Sequence, residues 1–213
     1  MSRMTERIRE YCDEHVGAIE LFQADEQNVA LLERIINDAV VCYRGGNKII
    51  ACGNGGSAAD AAHFVAELVG WQEDKTRRRV ALPAIDLASN VAALSAIAND
   101  QAYENVFIRQ LAAHLKIGDM VFGYSTSGTS KNVVGALEFA HGYGGKTVFI
   151  TGDHIRPNVL FTHHLRIPSS STPHIQEAYF MLNHIMAHEI ERNFLKEHAA
   201  AFHQLCATPA NHK

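Results

Sequence analysis

His63 and Glu67 stand four residues apart in "CGNGGSAADAAHFVAEL" (residues 52–68), so on a helix both project from one face. An imidazole beside a carboxylate can hold a divalent cation or divide acid and base work between them. The spacing is HxxxE rather than the HExxH of zinc proteases, and on its own the pair reads as a helix-surface ion contact. A second helix-spaced set lies in "TPHIQEAYFMLNHIMAHEIERNFL" (172–195), where Gln176, His184 and His188 carry donor atoms. His184 and His188 are again four apart and could themselves share a metal. Gln176 precedes His184 by eight residues, about 12 Å of helix rise at ~1.5 Å per residue. Those two reach one ion only by leaning toward each other along the helix or by coming from different subunits.

Two loops add anion-binding chemistry. "GNGGS" (Gly53 to Ser57) follows a short β-rich run and precedes a helix start. Free backbone N–H groups and the helix dipole favour an anion there, and glycine lets it approach closely. Asn54 and Ser57 can add side-chain hydrogen bonds. No GK[ST] follows, so this is not a nucleotide P-loop, and the spacing is not that of a dinucleotide fingerprint. "STSGTS" (Ser125 to Ser130) sets five hydroxyls around one glycine, again between a strand and a helix. It reads either as a turn with Ser130 as helix cap or as a hydroxyl-and-amide cradle for a phosphate monoester. A cradle without arginine suits a small sugar phosphate better than a triphosphate that needs Mg²⁺.

The elements that position these residues follow from periodicity. Ile8, Tyr11, Cys12, Val16, Ile19 and Phe22 mark one face of a first helix. Asp25 can cap a second, with apolar positions Val29, Leu32, Ile36, Val40 and Tyr43. "KIIAC" is a strand, and Ser57 is a candidate N-cap for a helix reaching about Gly70. Strands are then expected at 81–87, 118–126, 146–152 and 163–168, with helices at 101–115, 130–144 and 172–195. Near-continuously apolar strands alternating with helices predict a doubly wound parallel sheet in a three-layer αβα arrangement. Ligands are then expected beyond the carboxyl ends of the strands.

Composition bounds the function. With 213 residues and no linker, one α/β domain over 1–197 with a tail at 198–213 is expected. A net charge of -4 and a single basic run, Lys75 to Arg79, argue against a nucleic-acid partner. No run approaches the ~20 apolar residues of a membrane span, and the charged N-terminus is unlike a signal peptide. Cys12, Cys42, Cys52 and Cys206 are scattered, which reads as reduced thiols in the cytoplasm.

Taken together, "CGNGGS…DAAHFVAEL", "AIAND", "STSGTS" and "IQEAYFMLNHI" resemble the phosphoheptose isomerase family, a branch of the sugar isomerase (SIS) domain fold, over about the whole chain. The resemblance implies a flavodoxin-like SIS fold and an aldose–ketose isomerase converting sedoheptulose 7-phosphate to D-glycero-D-manno-heptose 7-phosphate, for heptose in surface polysaccharides. It implies a homotetramer with active sites at subunit contacts and one Zn²⁺ per subunit. Carried across, the zinc ligands are His63, Glu67, Gln176 and His184. Substrate contacts map to Asn54, Gly55, Gly56, Ser57, Glu67, Asn99, Asp100, Ser125, Thr126, Ser127, Ser130 and Gln176. Isomerisation through an enediol needs a base at carbon and an acid at oxygen, with Glu67 as candidate base and His184 as candidate acid. His188 falls outside the pattern and is assigned to packing.

Two positions depart from the family. Trp71 replaces an arginine usual after "AEL", and Pro173 stands where an acidic residue is common. These bear on the choice of sugar phosphate more than on the fold, and Arg77, Arg78 or Arg79 are candidates to restore the charge. Three alternatives share the fold: a regulator that binds the DnaA replication initiator, an isomerase of a related sugar phosphate, and a sugar-phosphate sensor. The regulator's pattern lacks residues matching Glu67 and His184, and a sensor would need neither, so their presence favours an enzyme.

Overall fold

The computed structural model describes residues 2–70, 81–153 and 160–205; Trp71, the run Lys75–Arg79, Cys206 and His212 lie outside the described residues. Two helices come first, α1 (Arg3–Ala24) and α2 (Glu26–Arg44). Asp25 caps α2 as expected, its carboxylate accepting the Gln27 N–H at 2.9 Å. Leu32, Ile36, Val40 and Tyr43 are buried along α2, whereas Val29 is exposed. In α1 only Ala18 and Phe22 are buried, and Ile8, Tyr11 and Val16 stay open to solvent. The reason is position: α1 lies against α2 and α7 and contributes no face to the sheet.

The remaining elements wind a sheet. They are β1 (Ile49–Gly53), α3 (Gly56–Val69), β2 (Ala84–Asp86), α4 (Val91–Asp100), α5 (Val106–His114), β3 (Met120–Ser125), α6 (Lys131–Gly142), β4 (Lys146–Gly152), β5 (His163–Ile167) and α7 (Thr172–Leu205). All neighbouring strands pair in parallel, in the order β2-β1-β3-β4-β5. Adjacent residues of one strand serve opposite faces, as the pleat requires. Ile49 and Ala51 join α2, α3 and α7 in one core, while Ile50 and Cys52 join α5 and α6 in the other. That double burial explains why the strands read as continuous apolar runs, and it confirms the predicted three-layer arrangement.

Four local details differ from the sequence reading. The strand expected at 81–87 contracts to Ala84–Asp86. The helix expected at 101–115 begins only at Val106, after a single 3₁₀ turn at Tyr103–Asn105. Helix α4 was not anticipated, because "VAALSAIAND" is short and alanine-rich and buries no residue fully, so its inward stripe of Leu94, Ile97 and Ala98 is faint in the sequence; its signal was Asn90, whose side chain accepts the Ala93 N–H at 3.1 Å. Finally, α7 runs on to Leu205 rather than ending at Leu195.

The order of the strands reverses direction between β1 and β3, which makes the carboxyl ends of those two strands the topological switch point. Gly53 lies opposite Tyr124 in the register, so the loops that leave β1 and β3 emerge side by side. These are "GNGGS" and "STSGTS".

Candidate active site

The first loop is shaped by glycine. A Cβ at Gly53 would stand 2.3 Å from the Ser57 carbonyl oxygen, so the turn into α3 closes only without a side chain. Gly55 holds φ +55°, a left-handed backbone that favours glycine, and occupies the N-cap of α3. Ser57 is therefore not the cap that the sequence suggested; the cap lies two residues earlier, at Gly55, and makes no side-chain cap bond. The Ala58 N–H already bonds the Gly55 carbonyl at 3.1 Å, and with no side-chain cap the Gly56 and Ser57 N–H groups of that first turn are the ones placed for a ligand.

Asn54 is held by its neighbours. Its amide donates to Asn132 Oδ1 at 2.8 Å, and its Oδ1 accepts from Asn132 Nδ2 at 2.8 Å and from the Tyr103 hydroxyl at 2.9 Å. The amide that the sequence offered to a substrate thus ties the first loop to α6 and to the segment after α4. Neither Asn132 nor Tyr103 was anticipated, and the amide-on-amide pairing is visible only once α6 lies beside the loop. Asn99 and Asp100 sit exposed at the end of α4, where Asn99 Nδ2 donates to Asp100 Oδ1 at 2.8 Å. Tyr103, three residues on, is what links that end of α4 to the loop.

The second loop is a hydroxyl cluster. Ser125 Oγ lies 2.9 Å from Ser130 Oγ and 3.4 Å from Ser127 Oγ, and Ser127 Oγ accepts from the Thr129 hydroxyl at 3.0 Å. Ser130 occupies the N-cap of α6 without making a side-chain cap bond, so its hydroxyl stays with the cluster. Gly128 takes φ +67° at the crest of the turn. The Thr126 carbonyl accepts from the Gly152 N–H at 3.1 Å, which fixes the loop to the end of β4.

Helices α3 and α7 run parallel beside one another, and their contacts give the register. Gln176 lies over Gly56, where a Cβ would come within 2.3 Å of its Nε2. Further along, Asn183 Nδ2 donates to the Asp60 carbonyl at 2.9 Å. Further still, His63 stacks on Phe180 with ring centroids 4.0 Å apart, and His184 meets His63 edge-on at 4.8 Å. The resulting trio is His63, Glu67 and His184, with Glu67 Oε1 3.4 Å from His63 Nε2 and 4.0 Å from His184 Nε2. One ligand atom from each lies within 4.8 Å of the others. Gln176 stays at the glycine loop, because a helical side chain leans toward its own N-terminus and so away from His184.

Electrostatically the trio is unfinished. Glu67 is 7% exposed, yet its Oε2, like His63 Nδ1, has no hydrogen-bond partner among the described residues. An orphaned buried carboxylate oxygen costs on the order of 1–3 kcal/mol or more, and such a cost marks a position where a ligand completes the site. Burial lowers the His63 pKa below its usual value, and the nearby His184 pushes in the same direction. A neutral imidazole is what a metal requires of it. The N, N, O donor set of the trio fits a zinc-class cation, with a coordination position left over. His188 takes no part in the trio.

Residues 10–152 match the family model described as "SIS domain". The phosphoheptose isomerase of Aliarcobacter butzleri (strain RM4018) is 47% identical over 161 residues, covering 75% of this chain and 84% of that protein. The phosphoheptose isomerase of Aneurinibacillus thermoaerophilus is 37% identical over 190 residues, covering 88% and 94%. Among solved structures, the phosphoheptose isomerase from Neisseria gonorrhoeae superposes with a TM-score of 0.79 at 34% identity, covering 89% of this chain and 99% of that one.

Proposed function

The chain belongs to the SIS-domain family, in its phosphoheptose isomerase branch, and from that premise we propose that the crevice between β1 and β3 interconverts sedoheptulose 7-phosphate and D-glycero-D-manno-heptose 7-phosphate. The protein is an aldose–ketose isomerase serving heptose biosynthesis. The observation that carries the mechanism is the meeting of Glu67 and His184 from two helices, with a buried Glu67 oxygen left unpartnered.

In the ketose-to-aldose direction, Glu67 takes a proton from C1 while His184 gives one to O2, which yields the enediol. His184 then takes the proton from O1, and Glu67 returns its proton to C2. Each residue ends as it began, and the atoms balance. The hydroxyls of Ser125, Thr126, Ser127 and Ser130 cradle the phosphate, while the amides at Gly55, Gly56 and Ser57 bind sugar oxygens at the start of α3. Gln176 reaches the same oxygens from α7, and Asn99 and Asp100 close the crevice from α4. Asn54 acts through its anchoring of the loop.

His63, Glu67 and His184 would hold Zn²⁺, which when bound supplies polarisation of the substrate carbonyl; Glu67 and His184 would each give the metal one donor atom and use the other carboxylate oxygen and the other ring nitrogen for the proton transfers. Gln176 completes that set only from a neighbouring subunit, since within one chain it lies at Gly56. This favours the homotetramer with shared active sites. The chain works as one SIS domain over residues 1–197, with a tail at 198–213 that begins inside α7, in the cytoplasm. No helix of the described residues is long and apolar enough to cross a membrane. The presence of Glu67 and His184 argues for this reading over a DnaA-binding regulator. Proton NMR of sedoheptulose 7-phosphate in D₂O tests it. Deuterium enters C2 as the aldose accumulates; a substrate left unchanged with zinc supplied would refute the assignment.

A further inference from the structure

Helix α7 carries a second histidine–glutamate cluster that the isomerase mechanism does not use. His174 and Glu177, in its first turns, meet His15 of α1, and one ligand atom from each lies within 4.8 Å of the others. Glu177 Oε2 is 2.9 Å from His174 Nδ1 and 3.0 Å from His15 Nδ1. Ligand atoms around a tetrahedral zinc-class ion, with metal–ligand bonds of about 2.0–2.2 Å, stand about 3.3 Å apart. The two carboxylate–imidazole separations therefore need only a slight expansion to admit a cation.

Three further observations point the same way. The outer partners are already in place. His174 Nε2 lies 3.2 Å from Glu14 Oε2, and the Tyr11 hydroxyl donates to Glu177 Oε1 at 2.7 Å. A carboxylate on the far nitrogen of a ligating histidine fixes its tautomer and raises its basicity, which is how metal sites are usually supported. Next, His15 Nδ1 is closed off from solvent and sits beside Glu177 Oε2 without making a hydrogen bond to any described residue. A cation shared with Glu177 Oε2 would satisfy His15 Nδ1. Finally, with neutral imidazoles the two carboxylates leave a charge of -2, which a divalent ion cancels. Two imidazoles and one carboxylate suit zinc-class metals rather than magnesium or calcium.

We propose that His15, His174 and Glu177 form a second divalent-cation site, separate from His63, Glu67 and His184, that clasps α1 to the start of α7. Such a clasp has a purpose here, because α1 buries only Ala18 and Phe22 and so gains little apolar adhesion to the rest of the chain. It also steadies the turn of α7 that carries Gln176.

The test uses the full chain, stripped with chelator, loaded with Zn²⁺, desalted and assayed for retained metal. The wild type retains two equivalents, and the His63→Ala/His184→Ala variant retains one. Adding His15→Gln to that variant removes the last equivalent, as does adding Glu177→Gln, whose carboxamide oxygen can still accept from the Tyr11 hydroxyl. Zinc raises the melting temperature of His63→Ala/His184→Ala by several degrees and leaves the His15→Gln triple variant unmoved. Equal zinc retention with and without His15→Gln overturns the proposal, as does a His63→Ala/His184→Ala variant that retains none. A wild type with one equivalent, lost on His15→Gln but kept on His184→Ala, would instead remove the metal from the active site and leave the clasp standing.

Discussion

Two histidine–glutamate clusters hang from one helix, and they are finished to different degrees. At the start of α7, Glu177 is hydrogen-bonded by Tyr11 and His174 and His174 is backed by Glu14, so that of this cluster His15 Nδ1 alone is buried without a hydrogen-bond partner among the described residues. Further along, Glu67 Oε2 and His63 Nδ1 are buried without partners, and the nearest imidazole nitrogens stand at 3.4 and 4.0 Å from Glu67 Oε1. Satisfied polar groups rigidify a junction; unsatisfied ones keep free energy in reserve for whatever binds. The first arrangement suits a clasp, and the second suits a group that must accept and release a proton in every cycle.

The contrast predicts effects of very different size. Glu67→Gln should lower turnover about 10²–10⁴-fold, the usual contribution of a general base. Binding of sedoheptulose 7-phosphate should stay within a few-fold by calorimetry, and undiminished turnover would end its role as base. Gly56→Ala forces a methyl against Gln176 and should raise KM by about tenfold with a smaller loss in kcat, since a steric clash at the binding loop costs ~1–3 kcal/mol; unchanged steady-state constants would place Gln176 outside the substrate's reach. His15→Gln sharpens the comparison from the other side. It should leave turnover within about two-fold and lower the melting temperature of the zinc-loaded protein by roughly 2–4 °C for each kcal/mol of clasp lost.

The smallest effect concerns Asp60, on the α3 turn between the glycine loop and the trio. Burial pushes its carboxyl up to about 7, and its Oδ2 has no hydrogen-bond partner among the described residues. Its folded pKa lies above its unfolded one, so the folded state binds more protons between pH ~4 and ~7 and stability falls as pH rises through that window. Asp60→Asn should therefore match the wild type near pH 4 and melt a few degrees higher above pH 7, at about 2–4 °C per kcal/mol. Melting curves across that range check it, and a gain that is the same at both ends would contradict the assignment.

Much of this was legible in the amino-acid order. Apolar runs broken by helix periods identified a parallel sheet covered on both faces, because only strands buried twice lose their alternation. The glycine and hydroxyl loops were recognisable because their residue types are poor choices for anything but tight turns and anion contacts. What escaped was cooperative in space. Helix α4 is short and alanine-rich, so the stripe of Leu94, Ile97 and Ala98 that it turns to the core stands out weakly. Asn132 and Tyr103 gain their role only by touching Asn54, and His15 gains its role only by touching α7.

Sequence alone determined the strand and helix content, the two loops and the residue types able to hold a metal and move protons, since each is a property of neighbours within a turn or two. The tertiary structure alone decided the groupings. Parallel packing of α3 and α7 sets Gln176 over Gly56 and His184 over Glu67, so the four expected ligands divide between two ends of one helix pair. The ~12 Å of helix rise between Gln176 and His184 was readable from spacing, but which partner each would meet depended on the register between α3 and α7, and that register is set by packing over long sequence separations.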